Sequence, residues 1–208
     1  MEVQDRSEIE LELAAAILLL WILFDGSRSR SSMSDAYRTF TGGFDRLIRP
    51  LITQIYGRAR TAVADQFGHK YPVKPATEGA PTVLIPGLNR RVEQYREDLY
   101  RRFEGRWSSD YQKKEAGEEP KEFGESDAER DAVTSTTEIH SVGEMDGGKD
   151  VESRTGKRLI AVWRVYPGAC PICAPLDGTT REWRTVFPGG PPGHPNCRCA
   201  LEWREFLG

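Results

Sequence analysis

Two short motifs in the last part of the chain carry its clearest chemistry. Cys170-Pro171-Ile172-Cys173 is a C-x2-C turn, and beyond a Gly/Pro-rich loop stands His194-Pro195-Asn196-Cys197-Arg198-Cys199. Structural zinc takes four nitrogen or sulfur ligands in a tetrahedron, usually as two pairs presented by two turns. Five candidates, Cys170, Cys173, His194, Cys197 and Cys199, compete for those four places. The spacing favours Cys170, Cys173, His194 and one of Cys197 or Cys199. An all-cysteine site would instead leave His194 to hydrogen-bond a thiolate. The competing chemistry is a disulfide pair or simple buried thiols. All four cysteines of the chain fall in this region and no secretory signal opens the sequence, which favours reduced thiols holding a metal. A catalytic zinc would keep one position open beside a base, as in H-E-x-x-H, and no such motif is present. Nor is there a nucleophile elbow, a P-loop or a dinucleotide fingerprint. The expected metal is therefore structural Zn2+, with no catalytic residues and no enzyme activity. His140 reads as facing solvent or capping its helix.

The elements around these motifs must bring the two turns together. Arg158 to Tyr166 is rich in β-branched and aromatic residues and predicts a strand. Asp177-Gly178 is a hairpin turn signal, followed by a second strand over 179–187 and a third, short one over 199–203. Upstream, Ser126 to Glu129 forms a capping box that predicts a helix start. Ala128, Ala132, Val133, Thr136, Ile139 and Val142 give that helix a narrow apolar face, and Gly143 with Gly147-Gly148 is expected to stop it. The stretch 104–125 is charged and poor in apolar residues, which predicts a mobile linker or surface loop. Before it, Leu88, Val92, Tyr95, Leu99 and Phe103 recur on one helical stripe opposite a charged face. Four prolines make 69–86 an irregular crossing. Pro50 suits the first turn of an amphipathic helix that ends near Gly68, and the helical pattern from Ser34 is broken at Gly42-Gly43.

The chain has 208 residues, 38% of them apolar and 29% charged, with a net charge of −3. That is enough for a real core and gives no general nucleic-acid-binding field. The unbroken apolar run Leu13 to Phe24 invites a membrane reading, but as a helix it rises only about 18 Å against a hydrocarbon core of roughly 30 Å. Its acidic lead-in is also unlike a signal peptide. A helix apolar on all sides is normally buried, so the expectation is packing within this protein or against a partner, with no membrane span. The predicted architecture is α+β: a mostly helical N-terminal part over 1–103, a charged linker over 104–125, and a domain over 126–208 that ends in a small zinc-stabilised β-hairpin module.

From Ser126 to Trp203 the chain resembles the phage Mu F-like minor head proteins, the head morphogenesis family. The elements that carry the likeness stand in order: Thr136-Thr137-Glu138 on a helix, Trp163 in a strand, Cys170-Pro171-Ile172-Cys173, the turn Leu176-Asp177-Gly178, and Gly193-His194-Pro195-Asn196-Cys197-Arg198-Cys199. Pro167-Gly168-Ala169 departs from the polar residue often found before the first cysteine, and the N-terminal half carries no motif of the family. The resemblance implies a minor capsid protein of a tailed phage virion, portal-associated and acting by binding in the head interior, with host cytoplasm as the place of assembly. It implies portal and/or major capsid protein as partners, with any contact to packaged DNA only local; the basic stretch around Arg28–Arg30 reads first as a solvated linker. The alternative function is a zinc-knuckle nuclease or DNA-binding module.

Overall fold

The computed structural model describes residues 3–74, 82–83, 85–165, 171–182 and 191–207. Among them are five helices: α1 (Val3–Arg28), α2 (Met33–Leu47), α3 (Arg49–Gln66), α4 (Leu88–Glu115) and α5 (Glu125–Thr155). Five short strands accompany them: β1 (Val73–Lys74), β2 (Thr82–Val83), β3 (Leu159–Arg164), β4 (Thr180–Glu182) and β5 (Ala200–Glu205). The protein is thus mostly helical with small antiparallel sheets. Two compact units share the chain, one of residues 54–88 and 133–208, the other of 2–53 and 89–132.

The second unit is helical. Leu13, Ile17, Leu20 and Phe24 repeat every three or four residues along α1 and are completely buried. Phe24 meets Phe40 of α2 edge-on, and Phe103 of α4 packs against Trp21, Phe24 and Phe40. A Cβ at Gly43 would lie 2.6 Å from Leu20 Cδ1, so this glycine is where α2 closes on α1. Gly42-Gly43, expected to break the helix, instead lie inside α2. The apolar run is buried on one face within its own unit, while Leu11, Leu19 and Ile22 stay exposed on the other. No helix of the described residues is long and apolar enough to cross a membrane. On α4 the stripe Val92, Tyr95, Leu99 and Phe103 is buried as its spacing predicts. The helix then continues to Glu115, through a stretch read from the sequence as linker. Local pairs support that exposed extension: Arg106 Nε donates to Asp110 at 2.7 Å and Tyr111 to Glu115 at 2.8 Å, each four residues on. The start of α5 is likewise displaced. Asp127, buried, accepts from the Gly124 amide at 3.5 Å and pairs with Arg130, whereas Glu129 of the expected capping box is exposed.

The first unit holds the sheet β4-β3-β5, antiparallel throughout, with Trp163 opposite Leu201 and Ala161 opposite Trp203. A separate pair, β1 with β2, joins Val73 to Val83 within the proline-rich crossing. Gly178 takes a φ of 72°, which lets the chain turn into β4 as the Asp177-Gly178 signal predicts. The second predicted strand extends to Phe187, and its remainder lies outside the described residues.

Helix α5 does not stop at Gly143. It runs on to Thr155 and ends at Gly156, which has a φ of 72°. The three internal glycines mark close approach. A Cβ at Gly143 would come within 2.7 Å of the Tyr56 carbonyl, one at Gly147 within 2.7 Å of the Arg60 carbonyl, and one at Gly148 within 2.7 Å of the Trp203 ring. Gly143→Ala should therefore destabilise the protein by about 1–3 kcal/mol through overpacking against backbone. Gly105→Ala, on the exposed part of α4 with nothing within 4 Å of its Cβ, should stabilise by about 0.5–1 kcal/mol through helix propensity. Urea unfolding of the two variants checks the opposite signs; a gain for both would refute the close-packing account.

Candidate metal centre

Three of the five candidate ligands meet in the first unit. The turn that carries Cys173 leads into a 3-10 turn over Ala174–Leu176, while His194 and Cys197 belong to the segment that enters β5. One donor atom each from Cys173, His194 and Cys197 lie within 4.8 Å of one another, a group that can hold a metal ion. The Sγ atoms of Cys173 and Cys197 are 3.7 Å apart. Two thiolates bound to one zinc at about 2.3 Å along tetrahedral directions would be ~3.8 Å apart. A disulfide would need about 2.05 Å, and Cys173, Cys197 and Cys199 are all free thiols. Cys199 is buried as well, its thiol interacting with those of Cys173 and Cys197 and with the Trp163 indole. Cys170 lies outside the described residues.

The local backbone explains how the turn is shaped. Asn196 has a φ of 63°, the left-handed conformation that asparagine adopts more readily than most residues. Its amide donates to Thr134 Oγ1 at 3.1 Å, and the Cys197 amide closes the turn on the His194 carbonyl at 3.2 Å. Thr137, one turn further along α5, donates its hydroxyl to the Cys197 carbonyl at 2.5 Å. The ligand turn is thus fastened to α5 by two threonines, contacts that no metal-ligand spacing in the sequence announces. His194 Nδ1 sits 2.6 Å from the Pro195 carbonyl. A carbonyl can only accept, so that nitrogen carries the proton and Nε2 is the atom suited to a metal.

Burial, followed by the hydrogen bonds that its S–H donates to Cys199 and Cys197, pushes the Cys173 thiol far above its ordinary range. Burial and Cys197 raise Cys199 too, with Cys173 and the Trp163 indole partly offsetting them. Without a cation these groups are neutral thiols, and ligation must expel their protons. Asp177, the carboxylate next to the turn in sequence, accepts from the Val165 amide at 3.1 Å and so belongs to the hairpin. His140, expected at the surface, is instead largely buried on α5, with its Nδ1 3.4 Å from Glu144.

The chain matches no family model, no curated protein and no solved structure.

Thr137→Val would remove the donor to Cys197 and leave a buried carbonyl unmatched, a loss of about 1–3 kcal/mol. Metal affinity should fall ~10–100-fold, as for other contacts that orient ligands. In wild type and variant alike, affinity should rise with pH, since thiols whose pKa is raised lose protons more readily as pH increases. Competition against a chromophoric chelator across the neutral range measures both effects, and an unchanged affinity in Thr137→Val would remove the threonine from the site.

Proposed function

We propose that this protein is a minor capsid, head-morphogenesis protein of a tailed phage, and that its knuckle holds a structural zinc. The observation that carries the reading is the grouping of Cys173, His194 and Cys197 beneath Thr137. It joins in space what the family resemblance joins only in order. Thr137 of the Thr-Glu motif fastens Cys197, Trp163 lies against Cys199, and Leu176 of the Leu-Asp-Gly turn packs on the core that contains Cys173, Cys197 and Cys199.

Zinc is the cation best matched to two or more thiolates with an imidazole in a tetrahedron. Cys173, His194 and Cys197 supply three ligands, and Cys170 or Cys199 the fourth. A closed set of four protein ligands makes a rigid element and leaves no place for a reacting water. The protein would accordingly act by binding, to portal and/or major capsid protein in the head interior, after assembly in the host cytoplasm. The exposed Leu11, Leu19 and Ile22 of α1 offer an apolar contribution to such a contact.

Purified under reducing conditions, the chain should carry one thiolate-ligated zinc per molecule, lost in Cys173→Ser and Cys197→Ser. Chelation should make the ligand turn over 191–199 protease-sensitive while the helical unit of α1, α2 and α4 keeps its resistance. A pull-down from cells producing the particle should enrich the portal or major capsid protein. Unchanged protease resistance after exhaustive chelation would end the structural-zinc reading. Metal-dependent nicking of DNA that disappears in His194→Ala, with no capsid protein enriched, would replace the assembly reading with a nuclease.

A further inference from the structure

Beyond the knuckle, α5 carries a second group of donors. Thr136, His140 and Glu144 follow one another every four residues, which sets them along one stripe of the helix, and Ser141 stands three before Glu144. All are withdrawn from water: Thr136 is 0% exposed, Ser141 1% and Glu144 7%, and the His140 side chain 13%. Buried polar atoms nearly always find a hydrogen-bond partner. Here three do not, namely Thr136 Oγ1, Ser141 Oγ and Glu144 Oε2.

The contact between His140 and Glu144 does not satisfy them. Glu144 Oε2 faces His140 Nδ1 at 3.4 Å, well beyond the ~2.7–2.9 Å of a charge-assisted N–H···O bond. The same helix makes a tight ion pair elsewhere, where Asp150 accepts from Arg60 Nε at 2.8 Å. A separation of 3.4 Å has another meaning. Two donors each about 2.1 Å from one cation, at the tetrahedral angle, stand ~3.4 Å apart. Donors four residues apart on a helix are also the spacing by which the H-E-x-x-H motif grips a metal from a single face.

We propose that His140 Nδ1 and Glu144 Oε2 hold a second divalent cation, distinct from the one assigned to the knuckle. Water completes its coordination. The donor set of imidazole, carboxylate and water contains no sulfur, so it suits zinc or manganese and does not select the thiophilic ions that the knuckle attracts. With only two protein ligands the cation keeps positions for water, unlike an ion closed in by four side chains. This assignment stands on α5 alone and does not need the knuckle to be filled.

The test uses the full reduced chain and two probe ions. Cobalt(II) reports thiolate ligation by its charge-transfer absorption, and manganese(II), a harder ion, reports the oxygen and nitrogen site by its spin resonance. The wild type should bind two cobalt ions, only one of them with a thiolate band, and one manganese. His140→Ala and Glu144→Gln should each weaken manganese at least ~10-fold and leave the thiolate band intact, while Cys173→Ser should do the reverse. Should those α5 variants not fold, manganese added to the wild type should broaden the His140 ring resonances selectively. A wild type that binds cobalt only in the thiolate site and no manganese overturns the proposal, as does manganese binding unaffected by either α5 variant. Manganese bound without any thiolate-ligated cobalt would remove the zinc knuckle and keep this site.

Discussion

The backbone of α5 passes α3 at Gly143 and Gly147 with no room for a side chain between them, and the first unit is arranged around that approach. Helices this close exclude water along the seam, so any charge there must be matched inside. Arg60 supplies the match. Buried on α3, it donates to Asp150 on α5, to the hydroxyls of Tyr56 and Tyr71, and to the Pro86 carbonyl. Burial alone would lower the Arg60 pKa, but the bond to Asp150 and the neighbouring tyrosines outweigh it and hold the guanidinium charged. Burial also pushes the Tyr56 hydroxyl up to about 12, so that tyrosine remains a neutral donor to Asp146. The bare pair of helices and the proline-rich crossing are thus tied by one cation.

The other face of the same helix serves the sheet. Gly148 admits the Trp203 ring, and Trp163, Trp203 and the three described cysteines share one core with Val63, Ala64 and Val151 of the two helices. The ligand turn is therefore no isolated appendage of the kind a tiny module would be. Its thiols are part of the packing that α3 and α5 complete, and a metal there adds a bond to a core that already has helical walls. A structural zinc is worth about 10–16 kcal/mol in small peptides that have no other core. In a unit with its own apolar interior, the same ion would fix the conformation of the turn more than it decides whether the unit folds.

Much of this was legible in the residues. The C-x2-C and His-Pro-Asn-Cys-Arg-Cys motifs marked the cluster, Pro50 the start of α3, the Val92 to Phe103 stripe the core of α4, and Asp177-Gly178 the hairpin. Glycine was misread in α2 and α5 because one residue type serves two purposes. It ends helices by taking positive φ and joins helices by lacking a Cβ, and only the neighbouring element tells which. The charged end of α4 was misread because apolar periodicity cannot report a helix that buries little and rests on pairs along its own surface. His140 was placed in solvent for a related reason, since the polarity of a histidine says nothing about which side of the helix its neighbours cover.

The first unit is assembled from two stretches that are distant in sequence, 54–88 and 133–208. During synthesis at about 5–20 residues per second, the buried face of α3 must wait several seconds for α5. It waits longer still for β5, whose Trp203 closes the seam at Gly148. The nascent chain thus carries an exposed apolar surface for a period set by the ribosome and not by its own folding rate. Arg60 lies on that surface, and its charge stays solvated until Asp150 of α5 arrives to pair with it.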